Sequence, residues 1–156
     1  MMNSLSGLQA FLYANGIYHF SAKEIAPVGK LANGVGPALI LPPEAKWPNI
    51  VPTLKIMEEL RAALGVPLFV HSCYRDTAYN RAIGGARYSL HTAFNAIDFS
   101  PAFDLPGDDD LAFIYEYLDH HHDADKCGIG IYRSFIHFDT RKIALGRKAP
   151  ARWDER

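Results

Sequence analysis

Two histidines and one aspartate in the second half of the sequence carry side chains that bind zinc. They are His91, Asp98 and His137. Two neutral imidazoles with one carboxylate are a common zinc ligand set, which leaves the fourth coordination position for water or a substrate. Zinc held in this way polarises a carbonyl group and lowers the pKa of its bound water to about 7. The trio is therefore a candidate zinc site, although spacing alone is weak support in a chain with seven histidines.

The three candidate ligands fall on segments that are expected to be ordered. Residues 93–99 alternate between two faces, which predicts a strand that buries one face and offers Asp98 on the other. His137 lies on a later predicted strand and shares a face with Asp139. His91 follows a Gly-Gly-Ala turn and a serine, where small residues permit a close chain path. We therefore expect a loop histidine and two strand residues to meet at one ion.

The remaining elements follow from apolar spacing, caps and turn residues. The predicted helices cover 52–64, 77–83 with Asp76 as the N-cap, and 111–119 after an acidic turn, and the predicted strands cover 67–72, 128–132 and 135–140. Asp108, Asp109 and Asp110 are interpreted as helix caps. The adjacent His120, His121 and His122 are expected to point in different directions and not to share an ion.

Composition favours a single globular domain over residues 1–156, because 49% of the residues are hydrophobic and 21% are charged. Within it we predict an irregular N-terminal wrap at 1–49 and a metal-site core at 50–141. The C-terminal tail at 142–156 either folds back as a cover or stays partly loose. The two cysteines, Cys73 and Cys127, show no Cys-x-x-Cys spacing and are predicted to be two thiols.

Charge and hydropathy exclude several partner classes at this stage. The formal net charge of -1 lacks the positive field that non-specific nucleic-acid binding needs, so no nucleic-acid partner is expected. No apolar run reaches the length of a membrane span, and the N-terminal residues lack the basic and apolar regions of an export signal. We expect a monomer that is made in the cytoplasm and does not bind membranes.

Residues around the candidate ligands form separated blocks of recognisable type. In chain order these are Ser72-Cys73-Tyr74-Arg75, Asn80, Gly84-Gly85-Ala86, Ser89, His91, Ala96, Asp98, Gly128 to Tyr132 and Phe135 to Arg141. The pattern resembles the zinc D-alanyl-D-alanine carboxypeptidases and related phage endolysins of peptidase family M15. The resemblance covers residues 67–141, with a weaker similarity at residues 19–24.

This resemblance implies an α+β fold of the Hedgehog/DD-peptidase type, with an antiparallel sheet and helices packed on one face. It implies Zn²⁺ bound by His91, Asp98 and His137. It also implies that Arg75 holds the substrate and the developing oxyanion, for which the planar fork of guanidinium donors is suited. A surface salt bridge to an acid such as Asp76 is the alternative role for Arg75.

Further roles follow from position on the predicted strands and turns. Asp139 is a candidate catalytic base, and the equal alternative is that it accepts the second ring N–H of a zinc-bound histidine. Ser89 and Tyr132 are candidate substrate-binding residues, with turn support or packing as the alternative.

Several positions depart from the pattern of active relatives. Many of these have an acid or a histidine where this chain has Ser134 and Phe135, and they usually have glycine at the positions of Cys73 and Phe94. Phe94 is expected to crowd the approach to the metal or to tilt the loop that carries His91. These departures leave turnover open, although they do not threaten the fold.

The leading prediction is a zinc-dependent peptidase that cuts near D-alanine in peptidoglycan stem peptides, as a carboxypeptidase or an endolysin-type endopeptidase. The alternative is a zinc-stabilised, non-catalytic peptidoglycan-binding or structural module of the same fold. Action at the bacterial cell wall without an export signal favours a phage or prophage product.

Overall fold

The computed structural model describes residues 3–26, 28–30, 37–107 and 109–156. Within these ranges the α-helices are α1 (Leu5–Ala14), α2 (Ala22–Ile25), α3 (Trp47–Leu64), α4 (Thr77–Ala82), α5 (Asp110–Asp119) and α6 (Arg141–Leu145). The strands are β1 (Val28–Lys30), β2 (Pro37–Leu39), β3 (Leu68–Ser72), β4 (Ala96–Pro101), β5 (Gly128–Tyr132), β6 (Ile136–Asp139) and β7 (Ala151–Glu155). The chain is thus of the predicted α+β class.

The main sheet has five strands in the order β3-β4-β6-β5-β7. The pairs β3–β4, β4–β6 and β5–β6 are antiparallel, as predicted, whereas β7 joins β5 in parallel. The separate pair β1–β2 is antiparallel. The two central strands of the main sheet, β4 and β6, are those that carry Asp98 and His137.

Alternation along these strands separates the core from the candidate site. Ile97 and Phe99 of β4 and Ile136 and Phe138 of β6 are fully or almost fully buried, in one apolar cluster with the inner faces of the helices. Such burial stabilises the fold by about 25 cal/mol per Å² of apolar surface removed from water. Because side chains of a strand alternate, the polar residues between them lie on the opposite face, away from the helices.

Helix α3 begins at Trp47, five residues before its predicted start at Pro52. The buried apolar face continues backwards through Ile50 and Trp47, and Pro48 occupies the first turn, where its missing N–H costs nothing. Pro52 is therefore inside the helix. The helix ends at Gly65 in the left-handed conformation, as predicted.

Both terminal regions contain regular elements: a helix lies within the predicted irregular wrap, and the tail folds back onto the sheet, which is one of its two predicted alternatives. Helix α1 lies in the N-terminal region, capped by Ser4, and buries Leu8 and Leu12 one turn apart. In the tail, α6 ends at a left-handed Gly146, and β7 then pairs along the whole of β5. Partners of β7 are distant in sequence, which is why local patterning does not reveal it.

Other predicted features have simple outcomes. Asp76 caps α4 and Asp109 caps α5 with their side chains, whereas Asp108 lies outside the described residues. Cys73 and Cys127 are free, buried thiols, and burial raises the pKa of Cys127 to about 12. None of the helices in the described ranges combines the length and the apolar character that crossing a bilayer requires.

Candidate metal centre

The three candidate ligands meet on the open face of the sheet. Asp98 and His137 are directly paired across β4 and β6, and His91 lies in the loop that leads into β4. Asp98 Oδ1 is 3.1 Å from His91 Nε2 and 2.9 Å from His137 Nδ1. One ligand atom from each residue lies within 4.8 Å of the other two. The structure therefore brings together the loop imidazole, the strand carboxylate and the second imidazole.

These separations fit a zinc ion. Ligand atoms bound tetrahedrally at 2.0–2.1 Å are about 3.3 Å apart, close to the spacings around Asp98 Oδ1. All three side chains are buried or nearly so, with 4%, 8% and 12% of the side chain exposed for His91, Asp98 and His137. A site of this kind is shielded from bulk water on the protein side and rests on the sheet.

A second hydrogen bond fixes the tautomer of each imidazole. His91 Nδ1–H donates to the carbonyl oxygen of Cys73 at 2.7 Å, so its Nε2 faces the centre. His137 Nε2–H donates to Asp139 Oδ2 at 2.9 Å, so its Nδ1 faces the centre. Outer partners of this kind orient metal-binding histidines and raise their basicity as ligands.

The three groups that face the centre are chemically suited to bind a cation. A neutral imidazole carries one N–H, and in both rings that hydrogen is donated outward. The inward nitrogens of His91 and His137 thus present lone pairs to Asp98 Oδ1, which is also an acceptor. Three acceptors that face one point are satisfied by a positive ion.

Asp139 is tied to structural partners. It is fully buried, and its two oxygens accept from Arg141 Nε and Nη2 at 2.8 Å each. The backbone N–H of Gly128 donates to the same carboxylate, and a Cβ at Gly128 would collide with this pair. Burial opposes ionisation of Asp139, but Arg141 and His137 lower its pKa. Of the two predicted roles, this geometry favours orienting His137 over accepting a proton in the cleft.

Arg75 points at the centre from the loop after β3. Its Nη2 donates to Asp98 Oδ2 at 3.1 Å, and its Nε donates to Ser72 Oγ at 2.9 Å. Asp76, the alternative partner, instead accepts from the backbone N–H of Tyr79 as a helix cap. The remaining guanidinium N–H groups of Arg75 are available to a substrate oxygen.

The candidate centre lies between two clefts. The first has a volume of about 440 Å³, and its lining includes Ser89 and Tyr132, the two predicted substrate-binding residues. The second has a volume of about 380 Å³ and includes Ser134. Both clefts are bordered by Arg75, Asp98 and Phe135. Asp98 and Arg75 can therefore be reached from either cleft, whereas His91 and His137 border only the first.

Contrary to the expectation that it crowds the approach to the metal, Phe94 lies away from the candidate centre. Its backbone is left-handed, with φ of 55°, the conformation that glycine adopts most easily. The ring is fully buried, packs edge-on against Tyr74 at 5.6 Å between centroids, and is absent from the lining of both clefts. Burial of the ring in the core holds this conformation. Cys73 is likewise buried and contributes its carbonyl to His91.

The histidine cluster after α5 also differs from expectation. The rings of His121 and His122 lie 4.2 Å apart, and with Asp123 they place ligand atoms within 4.8 Å of one another. The expected divergence is wrong for this pair, because the helix ends at Asp119 and a turn follows. Both ring nitrogens of His121 are already engaged, one with Glu59 and one with the backbone N–H of Asp123.

Trp153 lies in the tail that was predicted to fold back as a cover or to stay partly loose, and it forms a wall of the first cleft, a site role that was not predicted for it. Its indole lies 5.1 Å from the ring of His137 between centroids, and its Nε1–H donates to the Tyr132 hydroxyl at 2.9 Å. The ring covers the backbone of Gly130, where any Cβ would collide with it. The Gly-x-Gly alternation in β5 is the signal that indicates such a close approach.

Gly130→Ala is expected to destabilise the protein by roughly 1–3 kcal/mol, because the added methyl displaces the indole of Trp153. Urea unfolding followed by circular dichroism measures this loss. In Trp153→Ala the space is empty, so adding Gly130→Ala there should cost much less. An equal loss of stability from Gly130→Ala in the wild-type protein and in Trp153→Ala would contradict the close contact between residue 130 and the indole.

Comparison with known families gives one result. A family model described as Peptidase M15 matches residues 19–139, which include all three candidate ligands, Arg75 and Asp139. A search of curated proteins finds no match.

Proposed function

The chain belongs to the peptidase M15 family, and from this premise we propose that it is a zinc-dependent peptidase acting on peptidoglycan stem peptides near D-alanine. The observation that carries the proposal is the convergence of His91, Asp98 and His137 at the floor of an open cleft. The outward hydrogen bonds of both imidazoles support the same conclusion. The proposed place of action is the bacterial cell wall, where this substrate is found.

Bound zinc would supply polarisation of a carbonyl oxygen and acidification of water. The protein's own residues then have separate tasks. Asp139 and the Cys73 carbonyl hold the two imidazoles, and Asp98 supplies the negative charge of the ligand set. Arg75 donates to the substrate oxygen on which negative charge develops during attack on the amide. Ser89 and Tyr132 hydrogen-bond the peptide in the first cleft.

Arg75→Ala is expected to lower kcat on a stem pentapeptide roughly 10²- to 10³-fold, the usual loss when one oxyanion donor is removed. Release of D-alanine or scission of a cross-bridge is followed by mass spectrometry with the zinc-supplemented protein. Arg81→Ala is the matched control, since Arg81 is exposed and borders neither cleft. Wild-type activity that survives in Arg75→Ala would remove Arg75 from the mechanism.

A non-catalytic peptidoglycan-binding module of the same fold is the second candidate. One observation favours it: the Asp139 carboxylate already accepts hydrogen bonds from Arg141 and His137 and is not free to act as a base. One assay distinguishes the peptidase from the non-catalytic module. A zinc-loaded protein that binds stem peptides but yields no product from any of them would support the module and contradict the peptidase.

A further inference from the structure

A β-bulge next to the candidate centre adds Ser72 to the face of β3 on which strand alternation from Phe69 already places His71. In the β3–β4 pair, Val70 lies opposite Phe99 and Ser72 lies opposite Asp98, so the register shifts at His71. Two residues of β3 thus face one residue of β4, which is the geometry of a bulge. Bulges of this kind occur beside active sites, where they redirect a side chain.

The bulge places consecutive residues on the same face of the sheet. Ser72, opposite Asp98, lies on the face that carries the candidate ligands and accepts from Arg75 Nε. His71 also reaches this face, because its Nε2 is 2.8 Å from Oγ of Ser100, which stands two residues after Asp98 on β4. A regular strand would send one of the two to the core.

The neighbours of His71 hold its ring beside the second cleft. The ring lies 4.9 Å from that of Phe69 and 5.9 Å from that of Phe135 between centroids. The second cleft is bordered by His71 together with Arg75 and Asp98. The residue is exposed, and with Nε2 engaged by Ser100 its Nδ1 is left for a solvent or substrate partner.

The other carboxylate and imidazole groups near the centre are already engaged. His91, Asp98 and His137 form the candidate ligand set, and Asp139 is buried against Arg141. Among the described residues that border the two clefts, His71 is the imidazole outside the ligand set. Histidine is the side chain most often used as a general acid and base near neutral pH.

We propose that His71 is the general base and acid of the peptidase reaction, an inference that rests on the proposed function. As the oxygen of a water molecule bonds to the carbonyl carbon of the scissile amide, its proton passes to the unprotonated imidazole. When the C–N bond breaks, the imidazolium gives that proton to the leaving amine. His71 is thereby regenerated, and the products are a carboxylic acid and an amine.

The test compares His71→Gln and His71→Ala with the wild-type protein, all loaded with zinc, on a stem pentapeptide. We expect kcat to fall roughly 10²- to 10⁴-fold with KM within about threefold of wild type. Added imidazole should restore part of the activity of His71→Ala but none of that of Arg75→Ala. His122→Gln is the matched control, because His122 is an exposed histidine that borders neither cleft.

A readout independent of turnover uses a phosphinate analogue of the stem peptide, which mimics the tetrahedral state. Calorimetric titration in buffers of different ionisation enthalpy should show proton uptake on binding in wild type and none in His71→Gln. Zinc content and melting temperature of the variants should match wild type. Undiminished kcat in His71→Gln, or loss of its zinc, would overturn this inference and leave the proposed function intact. A wild type without hydrolysis would overturn both.

Discussion

Asp98→Asn is expected to abolish stoichiometric zinc binding and, with it, hydrolysis of stem peptides. Loss of an outer hydrogen-bond partner of a metal ligand usually costs roughly 10- to 100-fold in affinity, and loss of a ligand charge should exceed this. Asp98 Oδ1 faces both imidazole nitrogens, so it is the atom that the other two candidate ligands share. Its Oδ2 also accepts from Arg75, so one substitution disturbs all three neighbours.

The asparagine variant keeps the shape of the side chain but removes its charge, which separates the electrostatic role from packing. Metal content is measured by mass spectrometry after zinc supplementation and dialysis, and activity by release of D-alanine. Asp104→Asn is the matched control, because Asp104 is an exposed acid shortly after the same strand. An Asp98→Asn protein that keeps one zinc per chain would refute the shared site.

Asp139→Asn is expected to destabilise the metal-free protein by roughly 3–5 kcal/mol, the usual cost of breaking a buried ion pair from one side. Arg141 would lose its carboxylate partner while still largely buried, with 20% of its side chain exposed. The same change is expected to lower zinc affinity roughly 10- to 100-fold, because His137 loses the acceptor that fixes its tautomer.

Two separate measurements test these effects. Urea unfolding in the presence of a chelator gives the stability of the metal-free protein, and competition with a chromophoric chelator gives the zinc affinity. Asp125→Asn serves as control, since Asp125 is exposed. A stability change below about 1 kcal/mol would mean that the buried pair contributes little. Unchanged zinc affinity would exclude the orienting role of Asp139.

Much of the candidate centre follows from local patterns in the sequence. Alternation on β4 and β6 predicts that Asp98 and His137 lie on the face opposite the apolar core, and both do. Caps are equally local, as the side chain of Asp76 at the start of α4 illustrates. Such features depend on residues only a few positions apart, so the sequence contains all that is needed to predict them.

Other features depend on contacts between distant segments. From the sequence, Asp139 as catalytic base and Asp139 as acceptor for a zinc-bound histidine are equal alternatives. The choice between them depends on where Arg141 and Gly128 place their N–H groups. The wall formed by Trp153 required a parallel pairing of β7 with β5, which no local period indicates. The direction of the Phe94 ring, which was expected to crowd the metal or to tilt the loop of His91, depends on packing against Tyr74.

Residue types and the two-residue period of a strand were enough to indicate the three candidate ligands and the strand faces on which two of them lie. The α+β class followed from the family resemblance of the sequence. Three features required the folded chain: the register that sets Asp98 against His137, the bulge that brings Ser72 onto the face of Asp98, and the partners of Asp139. Register and side-chain partners arise from packing between segments far apart in the chain, which local patterns do not encode.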